Sequence, residues 1–272
     1  MRSVPRLSYS QMTEKEESDT KQLLTKQLNI GIILYEGVTV LDFMGPCQYF
    51  DILRSVWNAP IEIYTIAKAV GPLYSDEKGS IPYYANTSMQ DVIDRDLQLN
   101  VVLIPGAAPM YIENVLAEVD YFQFIKESLQ KSEHILSICS GARIVAATGI
   151  LDGKAATTNK FLFEYVTNDF PNVDWKIQAR WVQDGHIWSS SGISAGMDLI
   201  WGFLASMYGQ KIADTAAVFL EIIPSRQADI DPFTPTSELV EQWKLIHQNL
   251  SKHAALIPAN IVSRIAISHT SD

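Results

Sequence analysis

Cys139 is the residue of this 272-residue chain best placed to do chemistry. It stands between His134-Ile135-Leu136-Ser137-Ile138, which reads as a short strand, and Ser140-Gly141-Ala142, which opens a compact helix through Thr148 closed by Gly149. A side chain at such a strand–turn–helix junction sits at the strand's carboxyl end, over unpaired helix N–H groups that favour an anion. For cysteine that anion is the reactive thiolate, and these N–H groups are expected to hold the thiol about two pH units below its ordinary pKa near 8.5. Cys47 follows Gly45-Pro46 inside a helical stretch, 48–53, with no strand feeding it, and reads as inert packing.

The elements around Cys139 follow from hydrophobic periodicity. Residues 30–35 form a strand without a charged or strongly polar side chain, and continuity rather than alternation means burial on both faces, hence a largely parallel sheet. Further strands are expected over 61–67 and 100–105, with a peripheral one over 81–87. Helices alternate with them: 46–56, with Pro46 in its first turn, and 111–129, with Ile112, Val115, Leu116, Val119, Phe122 and Ile125 at helical spacing. Such alternation predicts an α/β fold, a doubly wound flavodoxin-like sheet with helices on both faces. After Gly149 a hairpin is expected from 176–182 and 187–190 around Asp184-Gly185, then a helix N-capped by Ser194 and running to about residue 208, and another over 211–221. The organisation is a polar N-terminal tail (1–27), an α/β domain (28–233, stopping at Asp231-Pro232-Phe233) and a C-terminal appendage (234–272) with amphipathic segments at 238–250 and 257–267.

Composition narrows the function classes. The formal net charge is −10, and no cluster of Lys or Arg gives a footprint for nucleic acid or an anionic membrane, so small neutral molecules or proteins are the expected partners. Two cysteines without C-x-x-C spacing argue neither a disulfide framework nor a zinc site, which points to a reducing compartment. No apolar run reaches the roughly 20 residues needed to span a bilayer, and residues 1–27 lack the apolar stretch of a secretory signal. A cytoplasmic location is expected, with the sequons at Asn86 and Asn249 unused; Arg2 and Arg6 in an acid-free start leave organelle targeting as the other reading.

In an open parallel sheet ligands bind beyond the carboxyl ends of the strands. Three loops lie there: residues 36–46, which carry Asp42; Pro105-Gly106-Ala107-Ala108; and the turn holding Cys139. Together with Leu41-Asp42-Phe43-Met44-Gly45-Pro46, Ile104-Pro105-Gly106, Ile138-Cys139-Ser140-Gly141-Ala142, the run Gly149 to Thr158, and Gly192-Ile193-Ser194-Ala195-Gly196-Met197-Asp198, they make the chain resemble the DJ-1/PfpI superfamily, most closely its isonitrile hydratase-like branch.

The resemblance implies that Cys139 is the nucleophile, Asp42 its acidic partner, and Ser140 the small hydroxyl residue after the nucleophile. It places the Gly106 and Ala107 backbone opposite the cysteine, where N–H groups cradle developing negative charge. Asn159, Gly192 and Ile193 are expected to line a pocket wall. The chain departs from the family in two places: Ala107 stands where a second glycine is common, and Asn159 follows Thr157-Thr158 where many relatives carry a histidine. His134 opens the strand at whose far end Cys139 lies, His186 sits at a hairpin turn, and His247, His253 and His269 belong to the appendage, so none is expected to replace it. Acid–base chemistry then falls to Asp42, whose pKa a nearby thiolate raises, so that the pair shares one proton. Asp198 reads as a first-turn partner of a helix dipole, and Trp175, Trp181 and Trp188 as core or subunit-contact aromatics.

The activity implied is hydration of an isonitrile to an N-substituted formamide, without metal or organic cofactor, by a homodimer acting on a small-molecule substrate. A glyoxalase- or deglycase-like enzyme acting on methylglyoxal is one alternative, weakened by Asn159. A redox-sensing or ligand-binding module, in which Cys139 is oxidised, is the other.

Overall fold

A computed structural model describes residues 24–252, and the side chains of residues 24–246. The chain runs through β1 (Leu28–Ile33), α1 (Leu41–Trp57), β2 (Ile61–Ala67), β3 (Gly71–Tyr74), β4 (Pro82–Ala85), β5 (Thr87–Ser88), α2 (Met89–Asp94) and β6 (Val101–Ile104). It continues with α3 (Pro109–Ala117), α4 (Val119–Lys131), β7 (His134–Ser137), a 3-10 turn (Cys139–Gly141) and α5 (Ala142–Ala147). Beyond these come β8 (Ala155–Ala156), α6 (Phe163–Thr167), β9 (Asp174–Trp175), β10 (Trp181–Asp184), β11 (Ile187–Ser190), α7 (Ala195–Tyr208), α8 (Gln210–Phe219) and α9 (Ser237–Lys252).

Among the described residues the main sheet has seven strands in the order β10-β11-β7-β6-β1-β2-β5. Every pairing is parallel except the β10–β11 hairpin. The apolar runs of β1 and β6 are buried on both faces, as continuity rather than alternation demands. From β1 the chain moves one way through α1 to β2; from β6 it moves the other way through α3 and α4 to β7. With right-handed crossovers, that reversal puts the two helix groups on opposite faces. Accordingly α1 packs with α7 and α8, and α3 with α4 and α5. The gap between β1 and β6, where the direction reverses, is the topological switch point.

Local differences from the sequence reading have physical reasons. The first helix begins at Leu41, so Pro46 lies in its interior, where the missing N–H forfeits a single bond to the Asp42 carbonyl. The helix expected over 111–129 breaks at Glu118 into α3 and α4. The break rephases the buried stripe, so that α4 buries Tyr121, Phe124, Ile125 and Leu129 while Val119 is 77% exposed. The peripheral strand over 81–87 divides into β4, paired with the unforeseen β3, and β5 at the edge of the main sheet. Residues 176–179 turn instead of extending, and their carbonyls at 176 and 179 serve the Thr157 and Lys160 side chains. Ser194 makes no side-chain cap to α7; its hydroxyl accepts from Arg180. Trp181 stacks on the buried Trp188, so the hairpin spends these aromatics internally. Residues 1–23 and the segment 257–267 lie outside the described residues.

The elbow depends on close backbone approach. A Cβ on Gly141 would stand 2.4 Å from the Ile104 carbonyl oxygen and 2.7 Å from that of Pro105. Gly141→Ala should therefore lower stability by roughly 1–3 kcal/mol, read as a lower urea midpoint at unchanged m. An unchanged midpoint would mean that the elbow and the end of β6 are not in contact as described.

Candidate active site

Three adjacent strands, β7, β6 and β1, deliver Cys139, Gly106 and Asp42 to one end of the sheet. The loop after β1 is stitched to the loop after β6 by a Val38–Ala107 bridge and by the Thr39 N–H donating to the Gly106 carbonyl at 2.8 Å. The first turn of α1 then carries Asp42 over that junction, where its Oδ2 accepts the Gly106 N–H at 2.9 Å instead of capping its own helix. Only glycine fits at 106, since a Cβ there would come within 2.7 Å of Ser140 Oγ and 2.9 Å of Asp42 Oδ2.

Cys139 has φ of 58°, a left-handed backbone rarely adopted by side-chain-bearing residues. Both its peptide groups are held: its N–H donates to the Ser191 carbonyl at 3.1 Å, and its carbonyl accepts from Thr158 Oγ1 at 2.8 Å. The sulfur accepts from Asn159 Nδ2 at 3.2 Å. The Leu162 N–H donates to Asn159 Oδ1 at 3.0 Å, which fixes the end of the amide that faces the sulfur.

Asp42 is fully buried, and burial raises its pKa to about 7, against the opposing pull of the Gly106 N–H and the Cys139 side chain. Its second oxygen, Oδ1, has no aligned donor. The expectation of a resting thiolate is not met. Burial pushes the Cys139 thiol well above its ordinary value, and the Asp42 carboxylate pushes the same way; the Ser140 N–H and the Asn159 amide counteract this only in part. The helix beneath spans just Ala142–Ala147, too little to offset the lost hydration. No cation is among the causes of either shift. The resting pair is thus a carboxyl poised to change charge near neutral pH beside a thiol that keeps its proton. Cys47 is also pushed up, to about 12, by burial and by Asp51. What separates the two cysteines is the set of partners, not a resting thiolate.

The structure brings Asp42, Cys139, Ser140, Gly106 and Ala107 together but reassigns the last three. The Gly106 N–H is spent on Asp42, and the Ala107 N–H on Ser140 Oγ at 3.0 Å, which in turn donates to the Ala107 carbonyl at 2.7 Å. The expected cradle is therefore already filled, and Ser140 uses its hydroxyl to tie the elbow to the neighbouring loop. The donors left at the sulfur are the Ser140 N–H and Asn159. Asn159 becomes a direct partner of the Cys139 sulfur instead of a wall; Gly192 lies against its amide, and Ile193 is 42% exposed. Sequence reasoning missed the anchors Thr158 and Ser191. Thr158 closes the run from Gly149, but nothing in the sequence shows which strand end its hydroxyl meets. It also missed Tyr35, whose hydroxyl donates to the Pro105 carbonyl at 2.5 Å.

His134 and His186 lie at the amino end of β7, away from Cys139, where the Ile135 N–H donates to the His186 carbonyl. Asp198 pairs with Arg180 at 2.8 Å and accepts the Ser225 N–H, a structural role. Among the described residues no group of three or more His, Cys, Asp or Glu is placed to hold a metal ion, and no helix is long and apolar enough to cross a membrane.

The chain is similar to known proteins over most of its length. The chain is 25% identical over 217 residues to an isonitrile hydratase of Pseudomonas putida, covering 79% of this chain and 88% of that protein. Its structure is similar to that of a ThiJ/PfpI family protein from Pseudomonas syringae, with a TM-score of 0.70 and 22% identity over 92% of this chain and 98% of the other. Drosophila melanogaster DJ-1beta superposes with a TM-score of 0.60 at 16% identity, covering 73% of this chain and 100% of the other. The model of the DJ-1/PfpI family matches residues 29–205, which holds β1, the elbow and most of α7, and the chain belongs to that family.

Proposed function

We propose that this protein is a cysteine-dependent hydratase that converts an uncharged isonitrile to an N-substituted formamide. The observation that carries the reading is the buried Asp42–Cys139 pair, with a carboxyl pKa near 7 and no cation among the causes that shift it. A site without a counter-cation favours a neutral substrate, because a buried anionic one would go unpaired. The likeness to an isonitrile hydratase over most of both chains points the same way.

The pair carries one proton into the first step. Asp42 takes it from the Cys139 thiol as the sulfur bonds to the terminal isonitrile carbon, then delivers it to that carbon, giving a thioimidate. Asn159 and the Ser140 N–H steady the sulfur while it bears charge. Asp42, again a carboxylate, then draws a proton from water as its oxygen bonds to the same carbon. One water proton ends on the nitrogen; the other returns to the sulfur as the carbon–sulfur bond breaks and the formamide leaves. Glyoxalase chemistry moves a proton between adjacent carbons and is usually helped by a second base. The Asn159 amide, standing where a histidine is common, cannot accept one.

Purified protein should turn over cyclohexyl isocyanide and leave methylglyoxal nearly untouched; the opposite preference refutes the assignment. Asp42→Asn should cost about 10²–10⁴-fold in turnover while the fold is kept, since it preserves shape and removes proton transfer. The competent pair holds one proton, and below the Asp42 pKa it holds two. The kcat/KM profile should therefore rise with pH through about 7, the value burial gives Asp42, and Asp42→Asn should lack that limb. A profile flat from pH 5 to 9 in the natural protein would remove Asp42 from the chemistry.

We also infer a homodimer. With the hairpin tryptophans used internally, the exposed apolar side chains Leu41, Met44 and Ile193, next in sequence or nearly so to Asp42 and Gly192, are the surface it would bury. Light scattering at micromolar concentration should give twice the chain mass, and a monomer at every concentration tested would exclude it.

A further inference from the structure

The short stretch Thr157-Thr158-Asn159-Lys160 supplies two bonds to Cys139, one at its carbonyl and one at its sulfur, and it ends in a lysine that is almost entirely buried. Lys160 Nζ donates to Thr157 Oγ1 at 2.8 Å, to the Ala179 carbonyl at 2.8 Å and to the Thr158 carbonyl at 3.1 Å. Asp231 Oδ2 lies 3.7 Å away. An ammonium with three donors is thus seated among two carbonyls, a hydroxyl and a carboxylate contributed by three separate parts of the chain. The seat is costly to build, because a buried cation needs its full set of partners. Of the residues in the seat, only Thr158 bonds Cys139, and it does so through its hydroxyl and not through the carbonyl that Lys160 holds. What the seat fixes is the backbone on which Thr158 and Asn159 are mounted.

The residues behind the seat tie it to the C-terminal part of the protein. Asp231 Oδ1 is 3.6 Å from Arg180, which itself pairs with Asp198, and the Arg180 N–H donates to the Ala228 carbonyl at 2.7 Å. One residue further on, Phe161 meets Trp243 of α9 edge to face, with ring centroids 6.0 Å apart. Both residues following Asn159 are therefore contacted by late segments of the chain, Lys160 by Asp231 and Phe161 by Trp243.

We propose that Lys160 is a positioning residue for the Cys139 centre: its buried ammonium, seated among Thr157, Thr158, Ala179 and Asp231, holds Thr158 on the Cys139 carbonyl and the Asn159 amide on its sulfur. The inference rests on Cys139 being the reacting group, as in the proposed function, but not on the substrate. Burial lowers the Lys160 pKa to about 8, with Arg180 acting in the same direction and Asp231 opposing. The grip thus loosens in mildly alkaline solution, where the ammonium loses its charge.

The test is the rate of Cys139 alkylation by iodoacetamide against pH, followed by mass spectrometry so that Cys47 is counted separately, in the natural full-length chain, Lys160→Met and Asp231→Asn. Tyr121→Phe, which removes a buried hydroxyl bond to the Leu34 carbonyl, is the control for simple destabilisation, and each protein is assayed equally far below its own Tm. Without Asn159 in place the sulfur loses a donor that favours its anion. Below pH 8, where the Lys160 ammonium is charged, Lys160→Met should accordingly slow Cys139 alkylation about tenfold, and Asp231→Asn by less, with Tyr121→Phe unmoved, and the gap should close above pH 8. On cyclohexyl isocyanide Lys160→Met should lose about tenfold or more in kcat with KM within about threefold. An alkylation rate at pH 7 unchanged in a folded Lys160→Met overturns the proposal; if that variant does not fold, an unchanged rate in Asp231→Asn does so. A slowed rate in a protein that hydrates no isonitrile upholds the role of Lys160 and refutes the proposed substrate.

Discussion

A carboxyl and a thiol buried side by side, with no cation among the groups that tune them, carry a single proton over a wide pH range, because ionising both would leave two anions unpaired in a medium that hydrates neither. The rest of the site is organised around that constraint. One oxygen of Asp42 is held by the Gly106 N–H, so the carboxyl keeps its place, and the other is left without an aligned donor, so it remains available to accept a proton. A lysine or arginine in place of these weak neutral donors would hold Asp42 ionised and end its exchange with the sulfur.

The arrangement costs conformational energy. Cys139 sits at positive φ, worth of order 1–3 kcal/mol in a non-glycine residue, and the surroundings over-determine it. Its peptide groups are bound at Ser191 and Thr158, and its neighbours Ser140 and Gly141 press against the loop after β6. Doubly wound topology makes this affordable: the three loops meet because β7, β6 and β1 are neighbours, and they meet where the winding reverses.

How legible this was depended on whether a feature is local. The runs forming β1, β2, β6 and β7, and the elbow at Cys139, are written in consecutive residues, and the structure shows them within a residue or two. Cys139 stood out because it lies just past a strand end, whereas Asp42, in the first turn of the helix after β1, was singled out by the family resemblance. The break at Glu118 and the early start of α1 were not visible, because apolar spacing continues through both and tertiary packing decides the phase. The functions of Ala107, Ser140 and Asn159 were out of reach for a different reason: hydrogen-bond partners far along the chain set them, and no spacing rule states whether an N–H points at a substrate or at Ser140 Oγ. The thiol was misjudged because helix N–H groups are readable from sequence and full burial is not.

Titration of the Asp42 carboxyl tests the central claim most directly. Carbon-13 NMR of protein labelled at aspartate side-chain carboxyls, with Asp42→Asn used to assign the resonance, reads its protonation without a substrate. The account predicts a midpoint near 7, three pH units above an ordinary aspartate, set first by burial. A midpoint near 4 would show Asp42 as a solvated or charge-paired carboxylate, and the shared proton on which the mechanism rests would not exist.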